Sequence, residues 1–235
     1  MTPPPPARVW ITRAEPGAAR TAARLRERGL EPIVRPLLVV EPLAPALPDL
    51  DRFAALAFTS ANGVAAFAAL SSRRDRPVFA VGDATARAAR EVGFPDVDSA
   101  HGDLAALALR IATRATGPIL ILAAETPAGD LGRAVQDAGG SGPVETLAVY
   151  RATPTDVDAP AAFDAVLVHS PRVAQALARP DRTSALSRAV VACISPAAAA
   201  PLRRLGLAPV VASAPREDAL LAALQAALGK RDPRV

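Results

Sequence analysis

Cysteine, histidine, lysine and the aromatic residues are all scarce in this chain of 235 residues, and each scarcity removes a class of function. One cysteine, Cys193, excludes an intramolecular disulfide and any cysteine-based zinc site. The two histidines, His101 and His169, lie far apart without the spacing of metal ligands, so no metal is expected. Aromatics make up only 3%, too few for the stacking platforms that hold single-stranded nucleic acid. No apolar stretch reaches the roughly 18 residues of a membrane span. The opening Met-Thr-Pro-Pro-Pro-Pro has no basic start and no apolar run, so no secretory signal is expected and the protein reads as cytoplasmic. Charge of one sign is lacking too: 27 basic side chains face 23 acidic ones, interspersed along the chain, for a net charge of +4. Every base except Lys230 is arginine. This is no nucleic-acid footprint, but a small basic excess suits an anionic small molecule. Neither a G-x-G-x-x-G turn after a strand nor a G-x-x-x-x-G-K-[ST] loop is present, which weighs against a nucleotide enzyme.

What the chain does have is a core, with 51% hydrophobic residues. Short β-rich runs alternate with alanine-rich helical segments. Strands are predicted at Val9–Thr12, Pro32–Val40, Ala54–Thr59, Val78–Gly82, Val97–Ala100, Ile119–Leu122, Val144–Tyr150, Ala165–His169, Val190–Ile194 and Val210–Ala212. Continuous apolar strands such as Ala165–Val168 read as buried on both faces of a parallel sheet. Helices are expected over Ala18–Arg28, Ala84–Val92, Ala198–Leu205 and Glu217–Leu228, ended by Gly29, Gly93, Gly206 and Gly229. The alternation defines an α/β class with parallel, flavodoxin-like sheets.

An internal repeat organises these elements. Val9–Val40 aligns without gaps on Ile119–Tyr150, so that Gly29 meets Gly139 and Val40 meets Tyr150. Phe53–Ala68 matches Phe163–Ala178 at the same offset, placing Thr59 and Ser60 on His169 and Ser170. Val81–Val97 matches Ile194–Val210 at a slightly larger one. The chain reads A–B–A′–B′. If the extended segments Pro32–Val40 and Val144–Tyr150 are crossovers, residues 41–149 form one inserted α/β domain, and 1–38 with 151–235 form a second, discontinuous one. Two strand-like linkers then join them, with a cleft between.

In parallel α/β sheets, ligands bind beyond the carboxyl ends of the strands. Those places hold Thr12-Arg13, Thr59-Ser60-Ala61-Asn62, Gly82-Asp83-Ala84-Thr85, Glu125-Thr126, His169-Ser170-Pro171-Arg172 and Ser195-Pro196. Most are small hydroxyl, amide or glycine residues opening a helix, where free N–H groups and a partial positive charge favour carboxylate or phosphate. At any single one the helix-cap reading wins, but several of them facing one cleft in two domains are harder to dismiss.

These motifs in this order resemble the uroporphyrinogen-III synthase family, from Val9 to about Leu228. Thr12-Arg13, Phe58-Thr59-Ser60-Ala61-Asn62-Gly63-Val64, Val81-Gly82-Asp83-Ala84-Thr85-Ala86, Val149-Tyr150-Arg151 and Ser170-Pro171-Arg172 carry the resemblance. It implies two small α/β domains on a two-strand linker, working as a monomer without cofactor and touching the preceding pathway enzyme transiently. It also implies a substrate, hydroxymethylbilane, that is a linear tetrapyrrole with eight carboxylates. The product is the macrocycle with its last pyrrole ring inverted, formed with loss of water. Thr12, Arg13, Thr59, Ser60, Asn62, Thr85, Ser170 and Arg172 are the expected substrate contacts, and Tyr150 matches the family position proposed to assist loss of the hydroxyl. A phenol keeps its proton at neutral pH and can donate it to departing hydroxide. The chain departs from the pattern at Ser195-Pro196-Ala197-Ala198, where the family often has Gly-Pro-Thr-Thr, and at Ala123-Ala124-Glu125-Thr126-Pro127, commonly arginine-rich. It departs again at His169, a usual threonine. A cytoplasmic two-domain sensor of small anions, without catalysis, is the alternative reading.

Other residues read more simply. Cys193 is a buried small hydrophobe, Trp10 packs in the first strand, and His101 belongs to a helix-start loop. Arg24, Arg26 and Arg28 form a solvated helix face.

Overall fold

The structure, a computed structural model, describes residues 5–15 and 17–230. It opens with β1 (Arg8–Ile11), α1 (Gly17–Arg26), β2 (Glu31–Val34) and β3 (Leu38–Pro42). Then come β4 (Ala55–Phe58), α2 (Ala61–Leu70), β5 (Val78–Ala80), α3 (Asp83–Glu91), β6 (Val97–Ser99) and α4 (Leu104–Arg114). The second half runs β7 (Ile119–Ala124), α5 (Leu131–Asp137), β8 (Val144–Pro154), β9 (Ala165–Val168), α6 (Pro171–Leu177) and α7 (Pro180–Leu186). It ends with β10 (Val190–Cys193), α8 (Pro196–Arg203), β11 (Val210–Val211) and α9 (Glu217–Gly229).

Residues 1–39 with 153–235 form one compact unit, the outer unit, and residues 40–152 form the inner one. The outer sheet has the order β11-β10-β9-β1-β2, with parallel pairings throughout. The inner sheet has the order β3-β8-β7-β4-β5-β6, parallel from β8 to β6. Leu43 N–H donates to the Val149 carbonyl and Thr155 N–H to the Leu37 carbonyl, which is antiparallel pairing of β3 with β8, the two strands that connect the units. Parallel strands need covering on both faces. Along β9 the side chains alternate accordingly: Ala165 and Leu167 enter a core with α1 and α9, Val166 and Val168 a core with α6 and α8. On α1, Ala18, Thr21, Ala22 and Leu25 recur at the three-to-four-residue spacing of one helix face, and all are buried.

The repeat is visible in the register. Val9 pairs with Ala165 in the outer sheet, as its counterpart Ile119 pairs with Ala55 in the inner one. Each unit therefore combines the A segment of one copy with the B segment of the other. The gapless alignment does not survive into the next strand: Val9 lies opposite Pro32, whereas Ile119 lies opposite Val144, two residues further along. An even shift keeps every side chain on its own face. Pro32–Val40 is not one strand either. It breaks at Arg35-Pro36-Leu37, because Pro36 has no N–H for a ladder and restrains the residue before it. Val40 consequently belongs to the same unit as Tyr150 and is not its counterpart.

Smaller corrections follow from local contacts. β7 and β8 run longer than predicted, to Ala124 and Pro154. Gly29, Gly93 and Gly206 take positive φ just past their helices, but Gly229 does not and is the last residue of α9. Arg24 and Arg28 are not simply solvated: both form ion pairs with Asp218 and tie α1 to α9. Trp10 is fully buried, edge-on to Phe163, with its indole N–H on the Arg35 carbonyl. Cys193 is buried and its thiol pKa is pushed up to about 12 by that burial.

Candidate functional site

In the inner unit, β4 is wholly buried and delivers Thr59 and Ser60 to the start of α2. Ser60 is the N-cap, its Oγ accepting from Gly63 N–H at 3.2 Å. The cap is close because Gly63 has no side chain: a Cβ there would stand 2.9 Å from the Leu122 carbonyl oxygen of β7. Ser60 Oγ also lies 2.9 Å from the Tyr150 hydroxyl. Thr59 and Asn62 are half-buried, and neither side chain has a hydrogen-bond partner among the described residues.

Tyr150 reaches Ser60 because β8 is irregular. Ala123 pairs with Ala148 but Ala124 pairs with Tyr150, so one extra residue is inserted at Val149. In a regular strand Val149 and Tyr150 would point to opposite faces. The bulge turns both into the core that holds Phe58 and Val64, leaving Val149 at 0% and Tyr150 at 7% exposure. Next to them, Arg151 donates twice to Glu125, at 2.6 and 2.8 Å, and lowers the pKa of that carboxylate. Thr85 is buried in the first turns of α3, whose cap Gly82 offers no side chain. Beside that helix start, His101 (φ +54) places Nδ1 2.6 Å from Asp83.

The outer unit places a different set at its strand ends. Thr12 is fully buried and donates its hydroxyl to the Leu167 carbonyl at 2.5 Å, so its proton is spent on joining β1 to β9. Arg13 turns back over α1, at a place where a Cβ on Gly17 would collide with its guanidinium. Its Nη1 lies 3.3 Å from Glu217 Oε2. His169 Nε2 lies 3.1 Å from the same oxygen, and Thr21 donates to Oε1 at 2.6 Å. Burial alone would raise the Glu217 pKa; the bonds from His169 and Thr21 and the charge of Arg13 outweigh it and bring it to about 2. The first turn of α9 adds a favourable dipole. Burial lowers the pKa of His169. Ser170 caps α6 through Val173 N–H at 3.2 Å, and Arg172 sits half-buried in the first turn of that helix.

The fold thus brings Ser60 and Tyr150 together in one unit, and Arg13 and His169 together in the other. The latter meet through Glu217 and Thr21, which sequence reasoning missed. Their only signal was a polar residue on a helix otherwise buried by alanine and leucine. A cavity of about 420 Å³ in the inner unit lies at the amino ends of β4, β5 and β6, among Pro77, Val78, Asp96, Asp98 and Arg114, and none of the residues at the carboxyl ends of that unit's strands lines it. Among the described residues no group of three His, Cys, Asp or Glu side chains could hold a metal ion, and no helix is long and apolar enough to cross a membrane.

Two repeat-exchanged, mostly parallel sheets on paired connecting strands, with hydroxyls and cations at their carboxyl ends, define a two-unit α/β protein. The chain belongs to the family of uroporphyrinogen-III synthase HemD, whose model matches residues 19–222. The fold is similar to that of the uroporphyrinogen-III synthetase of Helicobacter pylori, with a TM-score of 0.63 at 18% identity over 96% of this chain and 100% of that one. A mutant uroporphyrinogen III synthase of Thermus thermophilus gives 0.59 at 19% identity, again over 96% and 100%. No curated protein matches by sequence.

Proposed function

We propose that the chain converts hydroxymethylbilane to uroporphyrinogen III, inverting the last pyrrole ring and releasing water, in the cytoplasm. The observation that carries this reading is the family match over residues 19–222. The chain's own geometry supports it with a proton donor and with groups that hold carboxylates. Lone-pair density of a pyrrole nitrogen expels the substrate hydroxyl and leaves an electrophilic azafulvene. Ser60 Oγ accepts from Gly63 N–H, so its own proton can go to the Tyr150 oxygen. The phenol proton is then free for the departing hydroxide. The substituted α-carbon of the last ring attacks the azafulvene, and the spiro intermediate fragments and recloses. Fixing that ring is the main task, and orientation of this kind is worth roughly 7–11 kcal/mol. Thr59, Asn62 and Thr85 of the inner unit, with Arg13, Ser170 and Arg172 of the outer one, are the proposed carboxylate contacts.

Freshly made hydroxymethylbilane, incubated with the protein and resolved into porphyrinogen isomers, tests this. The type III isomer is expected. Type I alone, the product of unassisted closure, overturns it in favour of an anion-binding protein.

A further inference from the structure

The donors described so far suit carboxylates, but a linear tetrapyrrole also carries pyrrole N–H groups. Once shut away from water these need acceptors, since a buried donor left unpaired costs about 1–3 kcal/mol. Guanidinium groups have no acceptor to offer, and the hydroxyl caps already accept once each. Ser170 Oγ is occupied by Val173 N–H, and Glu217 has both oxygens engaged. Among the described side chains at the outer unit's strand ends, one acceptor stands out because it has no partner of any kind. His169 Nδ1 is buried without a hydrogen-bond partner, on a side chain only 6% exposed.

The chemical state of that atom follows from its neighbours. Glu217 is held as a carboxylate by Arg13, Thr21 and His169, and a carboxylate only accepts. His169 Nε2 therefore carries the hydrogen. With the ring neutral, Nδ1 presents a lone pair, and Glu217 fixes both tautomer and ring orientation. The repeat sharpens the point. The inner counterpart of His169 is Thr59, a hydroxyl that can donate; the outer unit has an acceptor that cannot. We propose that His169 Nδ1 accepts a hydrogen bond from a pyrrole N–H of the bound tetrapyrrole, with Glu217 as the residue that positions it. This rests on the tetrapyrrole reading given above. Because Nδ1 is closed to solvent here, the contact forms with a local movement of the side chains around it.

Only two histidines exist, so a protein labelled on histidine with the heavy nitrogen isotope gives two imidazole spectra, and a His101→Gln variant assigns them. Before ligand is added, His169 should show a bare Nδ1 and a protonated Nε2. Saturation with uroporphyrinogen III, kept reduced, should move the Nδ1 resonance of His169 towards its hydrogen-bonded range, while Nε2 stays protonated. Equilibrium dialysis of the same sample reports binding separately. His169→Phe should weaken that binding about twofold to tenfold, the range of one net hydrogen bond. Product that binds without moving Nδ1 overturns the proposal while leaving the tetrapyrrole reading intact, and so does a His169→Phe protein that binds normally. Product that does not bind at all overturns both.

Discussion

The two units share the order of five strands and the register of their central pair, yet they use the same strand ends for different purposes. At the end of β4 the inner unit has Thr59-Ser60 leading into α2, and the bulge in β8 brings a phenol to Ser60. At the end of β9 the outer unit has His169-Ser170 leading into α6, and there a buried carboxylate gathers an imidazole, a guanidinium and a hydroxyl. The scaffold is common; the charges are not. The inner unit's strand-end set around Tyr150 centres on neutral groups that can pass a proton, with the Arg151–Glu125 pair at its exposed edge. The outer unit's set is a fixed electrostatic cluster. Duplication supplied helix starts in both places, and the divergence lies in what stands one residue before the cap and on the helices packed behind it.

The chemical role proposed for the inner unit is broken most directly at Tyr150. Tyr150→Phe should lower kcat about 10²-fold, the lower end of what a general acid contributes, and leave KM nearly unchanged. Steady-state rates on hydroxymethylbilane check this, with circular dichroism to show the fold retained. Wild-type kcat would leave the inner unit without a chemical role.

Much of this was legible in advance because it is local. Alternation of apolar runs marked the strands, with β2 and β3 merged into one, the glycines at positive φ marked three helix ends, and the serine caps fall where the repeat places them. Long-range features were not legible. The bulge that turns Tyr150 inward depends on the pairing of β8 with β7, and nothing in Val149-Tyr150-Arg151 announces it. The Glu217 cluster joins residues separated by 48, 196 and 204 positions, which no local pattern brings together. The burial of Thr12 was not legible either, because a threonine at a strand end looks the same whether its hydroxyl meets solvent or a neighbouring carbonyl.

The outer cluster makes its own prediction, in acid. The folded-state pKa of Glu217 is about 2 against an ordinary 4.5, so over that interval the unfolded chain binds the extra proton. Its contribution to stability is complete above pH 4.5 and is lost as the pH falls towards about 2. His169 adds to the same trend: its lowered pKa means the unfolded state protonates first as the pH falls below 6.5. At about 1.4 kcal/mol per unit, and allowing for partial exposure, the Glu217 share is about 2 kcal/mol. Urea denaturation of wild type and Glu217→Gln across this range should give curves that converge towards low pH. Curves that stay parallel would mean the carboxylate is not held below its ordinary pKa.

The smallest expected effect compares the two helix starts themselves. Gly63 in α2 corresponds to Val173 in α6, so one helix approaches its sheet without a side chain and the other with a buried one. In Gly63→Ala the new Cβ meets the Leu122 carbonyl at 2.9 Å, a backbone atom that cannot swing aside. Such overpacking costs about 1–3 kcal/mol, while alanine in a helix recovers about 0.5–1 kcal/mol over glycine. The net loss should therefore be near 1 kcal/mol, read from denaturant midpoints. The more telling readout is kcat. Pushing α2 from β7 moves Gly63 N–H and with it the Ser60 hydroxyl that touches Tyr150, so the rate should fall with the stability. Val173→Ala removes buried volume from the outer unit and should cost stability with no comparable loss of kcat. If both variants lose rate alike, the Ser60–Tyr150 contact is not what distinguishes the inner unit, and its chemistry must be sought at Thr59 and Asn62 instead.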